Sequence, residues 1–294
     1  MTDLSPPRDA PGPAHGAGDA RPDAPYDRRR LSYAGTFTHP GRAAAIRTVE
    51  WLTGKPRLLR RIRQFEREGV ATGPAFFTHA LRVMGIRIDT PPEQVARIPR
   101  AGPLVVVANH PHGLVDGMVL AELLGRVRPD FKILTRSLLT NIPEIADHMI
   151  PVPFPHEPGA RARNLAMRGE AMRHLGADGV VALFPAGGVA AAASAFGPAV
   201  EGDWNPFTAK MIRLSGATVL PVHFAGANSR AYQIANRLSA TLRQGLLLHE
   251  VVHSLDRPQA PTIRAPIPPA AWRAHADQPS AFMAWLRART LGDA

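Results

Sequence analysis

The sequence predicts an α/β fold, a mostly parallel sheet covered by helices on both faces, with an N-terminal amphipathic helical region ahead of it. Three observations carry this. From Gly102 onward short apolar runs alternate with helix-patterned stretches. The runs in "PLVVVAN", "FKILTRS", "GVVALFPAGG" and "ATVLPVHFAG" are apolar on both faces, as strands of a doubly covered parallel sheet are. The polar clusters "NHPHGLVDG", "FPAGG" and "PVHFAGANS" fall where three of those runs end, which is where such sheets build their sites.

Taken in order, residues 1–32 read as a disordered, Pro-rich tail. Their opening, "MTDLSPPRDAPGPAHGAGDARPDAP", has early acidic residues and no apolar core, so no secretory signal is expected. Residues 33–95 form the helical region. Apolar positions Ile46, Val49, Trp51 and Leu52, then Leu58, Leu59, Ile62 and Phe65, recur three and four apart, and "TGKP" at Thr53 to Pro56 separates two amphipathic helices. Between Arg42 and Arg67 lie eight basic and two acidic residues, either a solvated helix face or a face drawn to an anionic membrane. A further helix, "PAFFTHALRVMG", ends at Gly85.

Residues 96–294 are read as the domain that carries the chemistry. The strand "PLVVVAN" leads into the helix "GMVLAELLGRV", and "FKILTRS" into a helix around Asn164 to Leu175. "GVVALFPAGG" precedes a helix from Pro206 to Leu214, with Asn205 as its cap and Pro206 in its first turn. After "ATVLPVHFAG" the chain holds one helix or two, with Asn228, Ser229 and Arg230 near the sheet rim. The uncharged run between Asp178 and Glu201 is interrupted by Pro185, Gly187 and Gly188 and makes a poor spanning helix, so a cytoplasmic chain without a transmembrane segment is expected.

Composition narrows the chemistry. With no cysteine in 294 residues, disulfides, thiolate metal sites and a cysteine nucleophile are excluded. The net charge of +11 favours anionic partners, but few aromatics and no basic run interleaved with stacking rings make nucleic acid the weaker one. No Gly-x-Ser-x-Gly elbow occurs, which disfavours a serine hydrolase.

The stretch "LVVVANHPHGLVDGM" is the most informative. If "LVVVA" is a strand and a helix starts at or near Asp116, the loop presents His110 and His112 at the rim. A histidine there is a general base at neutral pH when a carboxylate holds its tautomer, and Asp116 is the nearest candidate. A capping Asp beside two loop histidines is the bland alternative. His-x-His after a strand is also a metal-ligand pair, but Leu114 and Val115 stand where a binuclear hydrolase needs Asp and His, and only His223 offers a further strand-end ligand. No metal is expected.

These residues resemble the glycerolipid, or lysophospholipid, acyltransferase superfamily of PlsC-like enzymes, in its ornithine-lipid and hemolysin-like branch. The resemblance covers roughly residues 96 to 265. Its first motif is His, four residues, Asp; here five residues separate His110 from Asp116, in the form Asn-His-Pro-x-Gly-x-x-Asp-Gly. "KILTRSLLTNIPEIADHMIPV" is similar to the second motif, keeping Arg136 and Pro143 but with Pro153 where an arginine often closes it. "LFPAGGVA" is similar to Phe-Pro-Glu-Gly-Thr-Arg, with Ala186, Gly188 and Val189 replacing Glu, Thr and Arg, and "VLPVHFAGANS" keeps Pro221 of the fourth.

The resemblance implies a glycerol-3-phosphate-acyltransferase-like fold and acyl transfer from acyl carrier protein or coenzyme A to a hydroxyl or amine of a lysolipid or aminolipid precursor. His110 would be the base and Asp116 its orienter. Asn109, His112, Gly113, Arg136, Phe184, Pro185, Gly187, Gly188 and Asn228 would contact substrate, with amides near Gly187 and Gly188 facing the oxyanion. Val189 cannot clamp a phosphate as arginine does, which disfavours a small phosphorylated acceptor unless Arg136, Arg161 or Arg163 substitutes. No cofactor is implied beyond the thioester co-substrate. The basic charge would steer an acidic carrier protein or hold the enzyme on the inner face of the membrane. A rival of another class is a membrane-binding, hemolysin-like protein without turnover.

Overall fold

The computed structural model describes residues 32, 40–135, 142–153, 159–194, 197–238, 243 and 245–292. Four helices come first: α1 (Pro40–Leu52), α2 (Lys55–Arg67), α3 (Pro74–Val83) and the short α4 (Pro92–Val95). Gly54, at φ 121°, makes the break between α1 and α2, a backbone conformation open to glycine but strained for other residues. There follow β1 (Leu104–Ala108), α5 (Leu114–Gly125), β2 (Phe131–Thr135), a 3-10 turn at Pro143–His148, β3 (Met149–Pro151), α6 (Ala160–Gly176) and β4 (Val180–Leu183). The two-residue strands β5 (Ala191–Ala192) and β6 (Ala199–Val200) pair with each other. The chain then forms α7 (Pro206–Ser215), β7 (Thr218–His223), α8 (Arg230–Leu238), α9 (Leu247–Ser254), β8 (Thr262–Ile263), α10 (Pro269–Trp272) and α11 (Pro279–Leu291).

The main sheet has six strands in the order β3-β2-β4-β1-β7-β8. Five run parallel, and β8 closes one edge antiparallel to β7. All five residues of β1 are buried, as the expectation of a strand covered on both faces requires. Leu104, Val106 and Ala108 pack into one core with Leu58 of α2, Phe76 and Phe77 of α3, Val119 and Leu123 of α5 and Leu248 of α9. Val105 and Val107 face the other core, with Met167 and Ala171 of α6, Ile212 of α7 and Phe282 and Leu286 of α11. The arginine-rich helix α2 therefore inserts its apolar stripe into the same core as the sheet, while its arginines line the outer side.

Strand order places the site. The chain leaves β1 for β2 on one side and later returns, through β4 and then β7, to flank β1 directly. The loops after β4, β1 and β7 thus lie side by side at the carboxyl ends of the three central strands. At the opposite end, buried Arg128 pairs with Asp130 and donates to the carbonyls of Pro99, Gly102 and Asp178, stapling together the segments that enter β2, β1 and β4. Among the described residues no helix is long and apolar enough to cross a membrane.

Candidate active site

Gly113 sits at φ 76° and ψ −126° and turns the chain from the β1 loop into α5. That turn puts Asp116 at the third residue of the helix, rather than at the cap itself. From there the wholly buried Asp116 carboxylate reaches back over the loop. Oδ2 accepts from the backbone N–H of His112 at 2.8 Å and of Gly113 at 3.1 Å, and meets Nδ1 of His110 at 3.0 Å. Oδ1 meets Nδ1 of His112, also at 3.0 Å. The N-terminus of α5 adds positive potential to the same carboxylate.

Two imidazoles therefore share one anion. Burial pushes the Asp116 carboxyl upward, but the hydrogen bonds from His110 and His112 outweigh it and hold the group below its ordinary value. For His112 burial acts downward, and the Asp116 bond prevails to raise it. The ring of His110 stacks on Phe184 with centroids 3.9 Å apart, and its side chain is 18% exposed. With Nδ1 turned to Asp116, Nε2 of His110 is the nitrogen left to meet an incoming group.

The backbone of His110 is fixed from two further loops. Its N–H donates to Oε2 of Glu201 at 3.1 Å, and its carbonyl accepts from the N–H of Ala190 at 3.0 Å. Glu201 also accepts from the indole N–H of Trp204, and burial pushes its carboxyl up. Sequence reasoning missed Glu201. It stands 91 positions from His110 and serves by accepting a backbone N–H, a role that leaves no motif.

Several of the residues expected to contact substrate make hydrogen bonds within the protein. Asn109 is buried and its amide is committed in both directions to the backbone of Phe224, donating at 2.8 Å and accepting at 2.7 Å, so it clamps the end of β1 to the end of β7. The N–H of Gly113 is taken by Asp116. Pro185 is buried, and its carbonyl accepts from the N–H of Asn205 at the start of α7. Gly187, at φ 68°, donates its N–H to the carbonyl of Phe184 within a tight turn. Gly188 is exposed in the same loop. Arg136 lies outside the described residues. Arg161 and Arg163 occupy the first turn of α6, after edge strand β3, which two strands separate from β1.

Asn228 is buried beside this cluster, and its amide nitrogen has no hydrogen-bond partner. His249 and His253 pair elsewhere, with the carbonyl of Thr53 and with Arg257. Among the described residues no three His, Asp or Glu side chains converge as ligands for a metal.

Against known proteins, the acyltransferase family model matches residues 60–257. A lyso-glycine lipid O-acyltransferase of Phocaeicola vulgatus is 28% identical over 179 residues, 58% of this chain and 61% of that protein. One of Bacteroides thetaiotaomicron is 31% identical over 145 residues, 48% of this chain and 50% of that protein. The chain thus spans 50% to 61% of the length of these curated relatives. The crystal structure of the 1-acyl-sn-glycerophosphate acyltransferase PlsC from Thermotoga maritima superposes with a TM-score of 0.44 at 16% identity, covering 78% of this chain and 83% of that one.

Proposed function

Since the chain belongs to the acyltransferase family, whose model spans its residues 60–257, we propose that it transfers a fatty acyl group from a thioester, acyl carrier protein or coenzyme A, to the hydroxyl of a lysolipid. The observation that carries the mechanism is the 3.0 Å contact between Nδ1 of His110 and a wholly buried carboxylate, at the rim of a parallel sheet.

Asp116 holds the tautomer with the proton on Nδ1, so Nε2 is the basic nitrogen. Nε2 accepts the acceptor's hydroxyl proton as the oxygen attacks the thioester carbonyl, and the imidazolium is stabilised by the Asp116 anion. When the tetrahedral intermediate collapses, the C–S bond breaks and the thiolate leaves with the proton from Nε2, returning His110 to its starting form. Gly188, exposed in the loop beside Phe184, is the candidate amide for the oxyanion. The lysolipid acceptor is favoured by the names of the curated relatives, both lyso-glycine lipid O-acyltransferases.

Peripheral attachment to an anionic membrane surface belongs to the same reading. At the end of α1, Trp51 is 60% and Leu52 is 78% exposed, and the next helix carries Lys55, Arg57, Arg60, Arg61 and Arg63. Apolar side chains beside a basic helix are what an interface between headgroups and acyl chains receives.

The test is acyl transfer by the purified chain from a palmitoyl thioester to a lysolipid, with binding to vesicles containing phosphatidylglycerol measured in parallel. His110→Ala should lose at least about a hundredfold in rate while vesicle binding stays unchanged. Full activity in the His110→Ala protein would remove the base assigned here, and vesicle binding by a wild-type chain that transfers no acyl group would point to a membrane protein without turnover.

A further inference from the structure

A groove of about 370 Å³ opens between the β6 segment and the start of α8, lined by Gly197, Pro198 and Ala199 on one side and Gly226, Asn228 and Arg230 on the other. It adjoins the histidine cluster. A methyl group built on Gly226, at φ 98°, would come within 3.0 Å of Nε2 of His112, so the floor of the groove packs against the outer nitrogen of an imidazole bound to Asp116. Among the described residues no acidic side chain lines it.

Two features of the wall point to a ligand. Asn228 is 6% exposed, yet its amide nitrogen finds no partner, and a buried donor left unpaired is costly unless something arrives to accept from it. Arg230 brings a guanidinium to the rim, where one nitrogen donates to the carbonyl of Gly197 at 2.7 Å, leaving further N–H groups of the fork. The same residue opens the nine-residue helix α8, whose N-terminus adds positive potential to the wall. Buried Glu250 accepts from the N–H and hydroxyl of Ser229 at 2.7 and 2.6 Å.

We infer that this groove seats the head group of the acyl acceptor and selects one that carries a carboxylate, with the Asn228 amide and the Arg230 guanidinium as its two donors. The inference rests on the acyltransferase reading above and names the acceptor class for that same site. One neutral amide and one guanidinium balance a single negative charge; a phosphomonoester, near two charges at neutral pH, is left under-compensated. The small residues Gly197, Ala199, Gly226 and Ala227 leave room for a compact amino-acid head group.

The experiment compares three acceptors with one palmitoyl thioester: N-(β-hydroxypalmitoyl)glycine, its methyl ester, and lysophosphatidic acid. The ester differs from the acid only in charge and one methyl group. The expected result is a KM for the acid at least about tenfold below that for the ester, with kcat similar, because a charge-assisted pair is lost. Arg230→Gln, at an exposed position, should bring the acid-to-ester ratio close to one, and Asn228→Asp should invert it, since a second carboxylate then faces the first. Equal use of acid and ester, a preference for lysophosphatidic acid, or an Arg230→Gln protein with an unchanged ratio would overturn the inference. Acyl transfer to any of the three leaves the acyltransferase reading standing in those cases. A folded wild-type chain that acylates none of them would bring that reading down as well.

Discussion

Replacing Asp116 with asparagine separates the two things this carboxylate does. Oδ2 serves three donors and Oδ1 serves one. An asparagine keeps its shape: its oxygen can take the Oδ2 place and retain His110 and both backbone amides, while its NH2 faces His112, whose ring must change tautomer to accept. What disappears is the charge. A hydrogen bond to a charged group contributes about 1.5–3 kcal/mol and a neutral one about 0.5–1.5 kcal/mol. Removing a buried anion offsets part of the difference, so the expected net loss of stability is about 1–2 kcal/mol. Catalysis should suffer far more. The imidazolium formed on His110 loses the anion that stands 3.0 Å from Nδ1. A positioned base contributes about 10²–10⁴-fold, so kcat should fall by a factor in that range, equivalent to roughly 3–5 kcal/mol of barrier. Urea unfolding gives the first quantity and initial rates of acyl transfer the second. A variant destabilised as stated but turning over within about threefold of wild type would show that Asp116 only caps α5, and the base assignment would be withdrawn.

Three other outcomes follow from the geometry. Glu201→Ala strands two buried donors, the His110 N–H and the Trp204 indole N–H; at about 1–3 kcal/mol for each, the denaturation midpoint should drop clearly and turnover should fall because the base is displaced. Gly113→Ala should cost about 1–3 kcal/mol through backbone strain, not through crowding, because a methyl group at φ 76° would only touch Val189 at an ordinary 3.5 Å; a thermally unchanged alanine variant would contradict this. The stability gap between wild type and His112→Gln should depend on pH. The folded value of His112 is raised, so its contribution is complete below the ordinary histidine value of about 6.5 and is lost as pH rises through the raised one. Asp116 is lowered, so its contribution is present at neutral pH and is lost only as pH falls through its depressed value. The gap should therefore be wider near about pH 6 than near about pH 9, and a gap constant across that window would show that the two groups are not coupled.

The long apolar strands were legible because burial on both faces writes itself as unbroken runs: β1, β2, β4 and β7 all lie within the segments so read. The two- and three-residue strands β3, β5, β6 and β8 were not, since so few residues carry no period. The helices of residues 33–95 were legible by spacing, but not that Leu58, Phe76 and Phe77 share a core with β1, because amphipathicity says that a face is covered without saying by what. At the site, the pairing of His110 with Asp116 was readable from residue types and order. The second pairing, of His112 with the same carboxylate, leaves no such sign, because Pro111 and Gly113 mark a loop rather than the helical turn that brings residues four apart together. The loop is there, yet Gly113 folds it so tightly that both rings reach Asp116. What residue type and order do not carry for Asn109 and Gly187 is that each is committed to a neighbouring backbone, because such a bond depends on where a distant loop or a turn comes to lie.

The ties converging on residues 109 and 110 come from the three segments that follow β4, β6 and β7. The proposed acid-base pair thus stands on a common foundation, whereas Gly188, Ala227 and Arg230 are exposed on the segments that follow β4 and β7. On the proposed reading, descendants of this sequence could change which acceptor they take by altering these exposed positions while the proposed proton-transfer pair below stayed in register. Diversification in this lineage is expected to be read first in those outer positions.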